Sequence, residues 1–174
     1  MLPYPNCLMR HVIAILLQNE AGALTRVTGL ISARGYNIES LSVAPTNDPT
    51  VSRVTLVTTG SDAVIAQINS QLLKLVDVVA VEDMTGGDTL ARELLLIKLQ
   101  LAPEQVALMA ALVGRAGGRV LSSNALSYIV ELAGTEHEIG EFIARLGASG
   151  EIVEVVRSGV LGMARGNPRI PVVK

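Results

Sequence analysis

The residues best suited to bind a small molecule lie in one short stretch, residues 19–26 (NEAGALTR), which follows an apolar run and begins an amphipathic segment. A helix that begins near Gly22 leaves backbone N–H groups unpaired at its positive end, which suits an anion such as a carboxylate. Gly22 also lets a ligand approach the backbone closely. The amides of Asn19 and Asn37 can donate and accept hydrogen bonds, which suits the charged groups of an amino acid. A helix cap followed by a turn, without a ligand, is the alternative explanation of this spacing.

Residues able to carry out catalysis are scarce. The sequence contains no Gly-x-Ser-x-Gly motif, no phosphate-binding loop with Gly-Lys-Ser/Thr and no His-Glu-x-x-His. Cys7 is the single cysteine and the two histidines, His11 and His137, are far apart, so we expect no internal disulfide and no metal site. The carboxylates of the first half are not spaced as an acid–base pair, and we expect them to be solvated surface groups: Glu20, Glu39, Asp48 and Asp62.

The composition excludes several classes of protein. Hydrophobic residues make up 49% of the 174 residues, aromatic residues 2%, and the formal net charge is −2. The chain is therefore too apolar to be disordered, and too poor in positive charge and aromatic rings to be expected to bind nucleic acid. No charge-free stretch exceeds eleven residues, whereas a membrane-spanning helix needs about 20 apolar residues. A secretion signal near the start is disfavoured because residues 18–20 (QNE) interrupt its apolar stretch. We expect a cytoplasmic protein that does not contact membranes.

An internal repeat indicates two domains of the same kind. Residues 10–18 (RHVIAILLQ) are similar to residues 92–100 (RELLLIKLQ), an offset of 92 − 10 = 82. Apolar spacing in each half predicts the order strand, helix, strand, strand, helix, strand, with a shorter central hairpin in the second half. This order is typical of a ferredoxin-like fold, a four-stranded antiparallel sheet with two helices on one face. The predicted fold class is α+β, with two βαββαβ sandwiches in tandem.

The same pattern sets the predicted boundaries. We expect an N-terminal tail at residues 1–9, a first domain at 10–84, a linker at 85–91, a second domain at 92–164 and a C-terminal tail at 165–174. Gly35 suits the left-handed end of the first helix, Ser61 can cap the second, and Thr135 with Glu138 forms a capping box. The first strand is apolar on both faces, which predicts packing between domains and an oligomer. A monomer whose two sheets pack together is the alternative.

Residues 19–41 (NEAGALTRVTGLISARGYNIESL) closely resemble the ACT domain of the small regulatory subunit of acetohydroxyacid synthase, also called acetolactate synthase. Residues 52–55 (SRVT) and 154–166 (EVVRSGVLGMARG) also resemble this family, so the resemblance covers about residues 10 to 166. It implies that the first sandwich is an ACT domain and that the chain is not itself catalytic. The family subunit binds a catalytic large subunit that depends on thiamine diphosphate, raises its activity and confers feedback inhibition by valine in branched-chain amino-acid synthesis.

The resemblance also implies where an effector binds. Family subunits form homodimers, and valine lies between two ACT domains. Its contacts would be Asn19, Gly22, Ala23 and Leu24 of one chain with Asn37 and Ile38 of the other, and Thr25 lies where changes in the family weaken feedback. The second domain lacks equivalents of Asn19 and Gly22, so we expect no such ligand there.

No cofactor is expected on this chain, whereas thiamine diphosphate, Mg and FAD are expected on the catalytic partner. The 45–50 loop and Arg53 are candidate contacts with that partner. A free-standing amino-acid sensor that controls another protein, and an enzyme in its own right, are the alternative functions.

Overall fold

The computed structural model describes residues 9–86, 88–124, 127–166 and 170, and the chain divides into two compact units. The first unit comprises residues 1–91 and 160–174, and the second comprises residues 92–159. Each contains the predicted order of elements, so the α+β fold class with two tandem ferredoxin-like units is confirmed. Within the described ranges, no helix has the length and apolar character needed to cross a bilayer.

The first unit contains a four-stranded antiparallel sheet in the order β2-β3-β1-β4. Its elements are β1 (Met9–Gln18), α1 (Ala23–Ser32), β2 (Ser40–Pro45), β3 (Val51–Gly60), α2 (Asp62–Leu72) and β4 (Val78–Asp83). Helix α1 buries Ala23, Val27 and Ile31, which are spaced at i, i+4 and i+8 and so share one face. The core joins both helices to one face of the sheet through Ile13, Ile15, Leu17, Val27, Ile31, Val54, Leu56, Ile65, Ile68 and Leu72.

The opposite face of this sheet is also apolar, and the end of the chain helps to bury it. Ala14 and Ala80 have no exposed surface and cluster with Met84 and Ile170. A Cβ added at Gly162 would lie 3.3 Å from Val12 Cγ1, so the segment approaches β1 closely. Burial of this face was predicted from the sequence to come from packing between domains. The contact with residues of the same unit corrects that interpretation for the part of the face that these residues cover.

The second unit repeats the architecture with the sheet order β6-β7-β5-β8, and the last strand, β9, pairs with β5. Its elements are β5 (Thr89–Gln100), a short 3₁₀ helix (Pro103–Gln105), α3 (Val106–Arg115), β6 (Arg119–Ser123), β7 (Tyr128–Gly134), α4 (Glu136–Gly147) and β8 (Glu151–Arg157). Strand β9 (Leu161–Ala164) groups with the first unit. The two units also share an irregularity in strand pairing. The pairing of β1 with β4 shifts register between Leu16 and Leu17, and the pairing of β5 with β8 shifts between Lys98 and Leu99. Both lie at the same offset of 98 − 16 = 82 residues.

The boundaries differ from the predicted ones at two places. Residues 89–91 of the expected linker belong to β5, and residues 160–164, expected at the end of the second domain, group with the first unit. In agreement with the second difference, the Arg53 guanidinium donates from Nη2 to the Gly162 carbonyl at 2.7 Å. Met9 begins β1, while most of the predicted tails, including Cys7, lies outside the described residues.

The caps agree with the predicted positions in most respects. Gly35 has a positive φ of 74°, and Thr135 and Glu138 form a complete capping box at the start of α4. Ser61 occupies the residue before α2 but its side chain makes no capping hydrogen bond.

Candidate functional site

Several backbone hydrogen bonds fix the turn from β1 to α1. The Asn19 N–H donates to the carbonyl of Thr50 at 2.7 Å, and the Ala23 N–H donates to the carbonyl of Glu20 at 3.2 Å. Gly22 precedes the helix with φ 84°, a left-handed conformation that favours glycine because it has no Cβ. Gly22 was predicted as a site residue because it has no side chain, and the left-handed backbone favours a residue with that property.

The N-terminus of α1, like that of α3, lacks the capping or acidic groups that are present at the N-termini of α2 and α4. No side chain caps it, and its first turn contains no acidic residue. By contrast, α2 has Asp62 in its first turn, and α4 has a capping box with Glu136 and Glu138. Unpaired N–H groups and the positive end of the helix dipole are therefore uncompensated at α1. This end of the helix is chemically suited to a carboxylate supplied by a ligand.

The predicted contact residues of this turn differ in how far they are exposed to a ligand. Asn19, Gly22 and Thr25 are exposed, and Leu24 is half-buried. Ala23 is 1% exposed, and its side chain belongs to the core, so only its backbone is placed to meet a ligand. The turn thus presents polar backbone and amide groups beside one partly exposed apolar side chain.

Asn37 and Ile38 lie at the other end of the sheet within one chain. The Asn37 carbonyl accepts a hydrogen bond from Thr58 Oγ1 at 2.6 Å, and Thr58 pairs with His11 near the start of β1. Asn19 instead follows the end of β1, and a strand rises about 3.3 Å per residue. A single chain therefore does not bring the two sets of predicted residues together.

An ion pair that was not predicted from the sequence lies beside this turn, between Arg26 of α1 and Asp77. The guanidinium donates from Nε and Nη2 to the two carboxylate oxygens at 2.5 and 2.8 Å. These hydrogen bonds and the negative charge of Asp77 raise the pKa of Arg26. The Asp77 side chain is only 4% exposed. In the sequence it lies between two apolar residues, Val76 and Val78. A carboxylate among the apolar residues where a strand begins is the sequence signal that could have indicated a buried ion pair, because charged residues are rarely buried unless they are paired.

The corresponding turn of the second unit is filled by its own side chains. Gln105 Oε1 accepts from the Ala102 N–H at 2.7 Å, and Gln105 Nε2 donates to the Ser149 carbonyl at 3.0 Å. A Cβ on Gly150 would lie 2.5 Å from Leu101 Cδ2, so the Leu101 side chain packs closely against Gly150. The two halves share a fold, but their strand-to-helix turns have different chemistry.

Other polar residues considered in the sequence have structural partners. Glu39 accepts hydrogen bonds from Thr59 Oγ1 and from Arg10 Nε, and Asp48 accepts from the backbone and hydroxyl of Thr50. Each set of bonds lowers the pKa of its carboxyl group. Arg53, a candidate partner contact, donates within its own unit to Gly162. In the part of the chain that the structure describes, no three His, Cys, Asp or Glu side chains form a group that could hold a metal ion.

His11 is an unusual buried polar residue of the first unit. Its side chain is 2% exposed, with Nδ1 3.4 Å from Asp83 Oδ2 and Nε2 3.7 Å from Asp62 Oδ1. Neither ring nitrogen makes a hydrogen bond to a described residue. This imidazole lies near the start of β1, at the opposite end of the strand from Asn19.

Comparisons with known proteins agree over nearly the whole chain. Residues 13–80 match a family model described as an AHAS small subunit-like ACT domain, and residues 92–166 match one described as the small subunit of acetolactate synthase. The chain is 46% identical over 162 residues to the acetolactate synthase isozyme 3 small subunit of Salmonella typhimurium, covering 91% of this chain and 98% of that one. It is 45% identical over 159 residues to its counterpart in Escherichia coli, with the same coverage of each chain. The crystal structure of the acetolactate synthase small subunit from Thermotoga maritima superposes with a TM-score of 0.84 at 30% identity, covering 91% of this chain and 99% of that chain.

Proposed function

Because the chain belongs to the family of acetolactate synthase small subunits, we propose that it activates a catalytic large subunit and makes that enzyme sensitive to feedback inhibition by valine. The observation that carries the effector part of this proposal is the uncapped, acid-free N-terminus of α1 beside Asn19 and Gly22. An amino acid carries a carboxylate for the helix end and an ammonium group for an amide oxygen.

The proposed site is completed by a second copy of the chain. Asn19 and the backbone of residues 22–25 would hold the polar groups of valine, while the half-buried Leu24 would contact its side chain. Asn37 and Ile38 would come from the other chain, since in one chain they lie at the far end of the sheet. A homodimer through the ACT domains would thus create the site, and valine would bridge the two protomers.

Valine would act by selecting one arrangement of this dimer. If that arrangement fits the catalytic subunit differently from the empty one, feedback requires only a difference in affinity, about 1–3 kcal/mol of coupling free energy. Selectivity would be incomplete because one methylene in an apolar pocket changes binding by only about 1–3 kcal/mol. Leucine and isoleucine would therefore inhibit more weakly than valine.

In this proposal the chain contributes no reacting group. Thiamine diphosphate, Mg and FAD would belong to the catalytic large subunit, which would perform the chemistry in the cytoplasm. This chain would bind only the branched-chain amino-acid effector and its protein partners.

Reconstitution with the cognate catalytic subunit tests the proposal directly. We expect the complex to form acetolactate faster than the catalytic subunit alone, and valine to reduce that rate only when this chain is present. An unchanged rate after the two proteins are mixed would contradict the regulatory role. Turnover by this chain alone would instead support an enzyme, and capture of a different target in place of the catalytic subunit would support a free-standing sensor.

A further inference from the structure

Asp77 is bonded to both ends of the turn that carries the proposed effector site. Its backbone carbonyl accepts a hydrogen bond at 2.8 Å from the N–H of Gln18, the last residue of β1. Its carboxylate binds the guanidinium of Arg26, which lies in the first turn of α1. Asp77 therefore bonds to a residue on each side of the turn formed by residues 19–22: Gln18 before it and Arg26 after it.

The Arg26 side chain also lies against Gly22. A Cβ added at Gly22 would be 3.1 Å from Arg26 Nη1, the guanidinium nitrogen that does not bind Asp77. The Arg26 N–H donates to the Gly22 carbonyl at 3.0 Å, so backbone and side chain of Arg26 both hold this glycine. The guanidinium limits the space beside the first N–H groups of the helix.

Burial makes this ion pair an effective constraint. The Asp77 side chain is 4% exposed and Arg26 is 46% exposed, so loss of Arg26 leaves a buried carboxylate without its bidentate partner. A buried charge in that condition is strongly unfavourable, and the surrounding backbone moves to let water reach it. The backbone that would move includes Gln18 and the turn that follows it.

We propose that the Arg26–Asp77 pair is a positioning device that sets effector affinity by holding the 19–22 turn in its binding geometry. This inference rests on the proposed function, because it assumes that an amino acid binds at that turn. Arg26 and Asp77 act here as positioning residues, since preorganised backbone groups bind a ligand without first being ordered.

The test compares Arg26→Met, Asp77→Asn and the double variant with the unchanged full-length chain. Calorimetric titration with valine gives the dissociation constant, and amide hydrogen exchange reports the order of residues 19–25. We expect each single variant to bind valine about tenfold or more weakly, because misplaced backbone groups would lose hydrogen bonds to the charged ligand, and to exchange faster at these amides. Arg26→Lys should recover part of the affinity, because it restores the charge but not the bidentate geometry.

The second unit offers a matched control. Arg157 donates from Nε and Nη2 to the two carboxylate oxygens of Glu93, at 2.8 and 2.6 Å, and the Glu93 side chain is 3% exposed. We expect Arg157→Met to leave the valine dissociation constant and the exchange of residues 19–25 unchanged. An equal loss of affinity in Arg157→Met would show a general effect of destabilisation and would overturn the inference.

The remaining outcomes separate this inference from the proposed function. If the unchanged chain does not bind valine, the proposed effector is wrong, and the exchange measurement still decides whether the pair orders the turn. Folded Arg26→Met that binds valine normally would refute the positioning role. If a single variant does not fold, the double variant, which removes both charges, is compared with the unchanged chain instead. It should also bind valine more weakly and exchange faster at residues 19–25.

Discussion

The side-chain amide of Asn19 is already engaged within its own chain, where Nδ2 donates to the carbonyl oxygen of Pro49 at 3.0 Å. This bond, together with the bond from the Asn19 N–H to the Thr50 carbonyl, joins the first turn to the loop between β2 and β3. The orientation leaves the amide oxygen as the side-chain group that can accept a hydrogen bond from an ammonium group. Asn19 therefore has two roles that substitutions can separate.

We expect Asn19→Ala to weaken valine binding by about 1.5–3 kcal/mol, the usual effect of losing a hydrogen bond to a charged group. Asn19→Asp keeps an oxygen that can accept from the ammonium group but, like alanine, cannot donate to Pro49, and its negative charge would lie near the ligand carboxylate, so it should also weaken binding. Titration calorimetry measures both affinities. Asn124→Ala removes the amide that accepts from the Ser127 N–H in the other unit, and should leave valine binding unchanged. Normal affinity in Asn19→Asp would contradict the assignment.

Gly22→Asp should abolish inhibition by valine in the reconstituted enzyme. The new carboxylate would lie at the helix end proposed for the ligand carboxylate. Because the added Cβ would be 3.1 Å from Arg26 Nη1, the carboxylate would also compete with Asp77 for the guanidinium. Gly117→Asp is the matched control, because Gly117 also has a positive φ, 75°, but its Cβ would meet open space. Both variants carry a similar backbone penalty of about 1–2 kcal/mol. Retained inhibition in Gly22→Asp, or its loss in Gly117→Asp, would exclude a specific effect at the turn.

Local patterns predicted the elements of both units, whereas contacts between distant residues escaped prediction. The spacing of Ala23, Val27 and Ile31 indicated the buried face of α1, because helical periodicity is encoded over a few residues. The ion pair between Arg26 and Asp77 joins positions 51 residues apart, and sequence spacing alone does not specify such a pairing. For the same reason, the contact of Gly162 with the outer face of the first sheet was not predicted.

The turn from Asn19 to Leu24 could be identified as a candidate site because its chemistry is mostly local. A glycine before a helix and an amide at the strand end are both visible in sequence. The assignment of Asn37 and Ile38 to the same site depended on resemblance, since one chain holds them at the opposite end of the sheet.

The stability of the first unit should depend on pH through Glu39. Its pKa is lowered by the hydrogen bond from Thr59 and further by Arg10. A lowered folded-state pKa means that the stabilisation is present above the unfolded carboxyl pKa, about 4.3, and is lost as the pH falls through the folded value. We expect the difference in unfolding free energy between the unchanged chain and Glu39→Gln to be constant from pH 6 to 8 and to shrink in acid. Urea denaturation at each pH measures this difference.

Thr59→Val provides the comparison for that pH series. It removes the largest cause of the lowered Glu39 pKa, so the acid-dependent difference produced by Glu39→Gln should become smaller in this background. A difference that does not change with pH in either background would refute the linkage.

Two glycines of the second unit should respond to alanine in opposite directions. A Cβ on Gly118 would lie 2.9 Å from the Glu131 carbonyl oxygen and 3.2 Å from Val113 Cγ1, so backbone and core must shift. We expect Gly118→Ala to lower the unfolding free energy by about 1–3 kcal/mol. Gly140 lies within α4 with open space around its Cβ position, and Gly140→Ala should stabilise by about 0.5–1 kcal/mol. Denaturant unfolding decides the signs, and destabilisation by Gly140→Ala would contradict the helical packing.

The chain should bind one valine per copy, because its second strand-to-helix turn is occupied by its own side chain. Gln105 accepts from the Ala102 N–H and donates to the Ser149 carbonyl, which uses the polar groups that a ligand would need. We expect Gln105→Ala to lower the unfolding free energy by about 1 kcal/mol through these lost bonds, with no change in valine affinity. Calorimetry gives both the stoichiometry and the affinity. Two valines per chain, or an affinity that changes with Gln105, would show that the second unit also binds the effector.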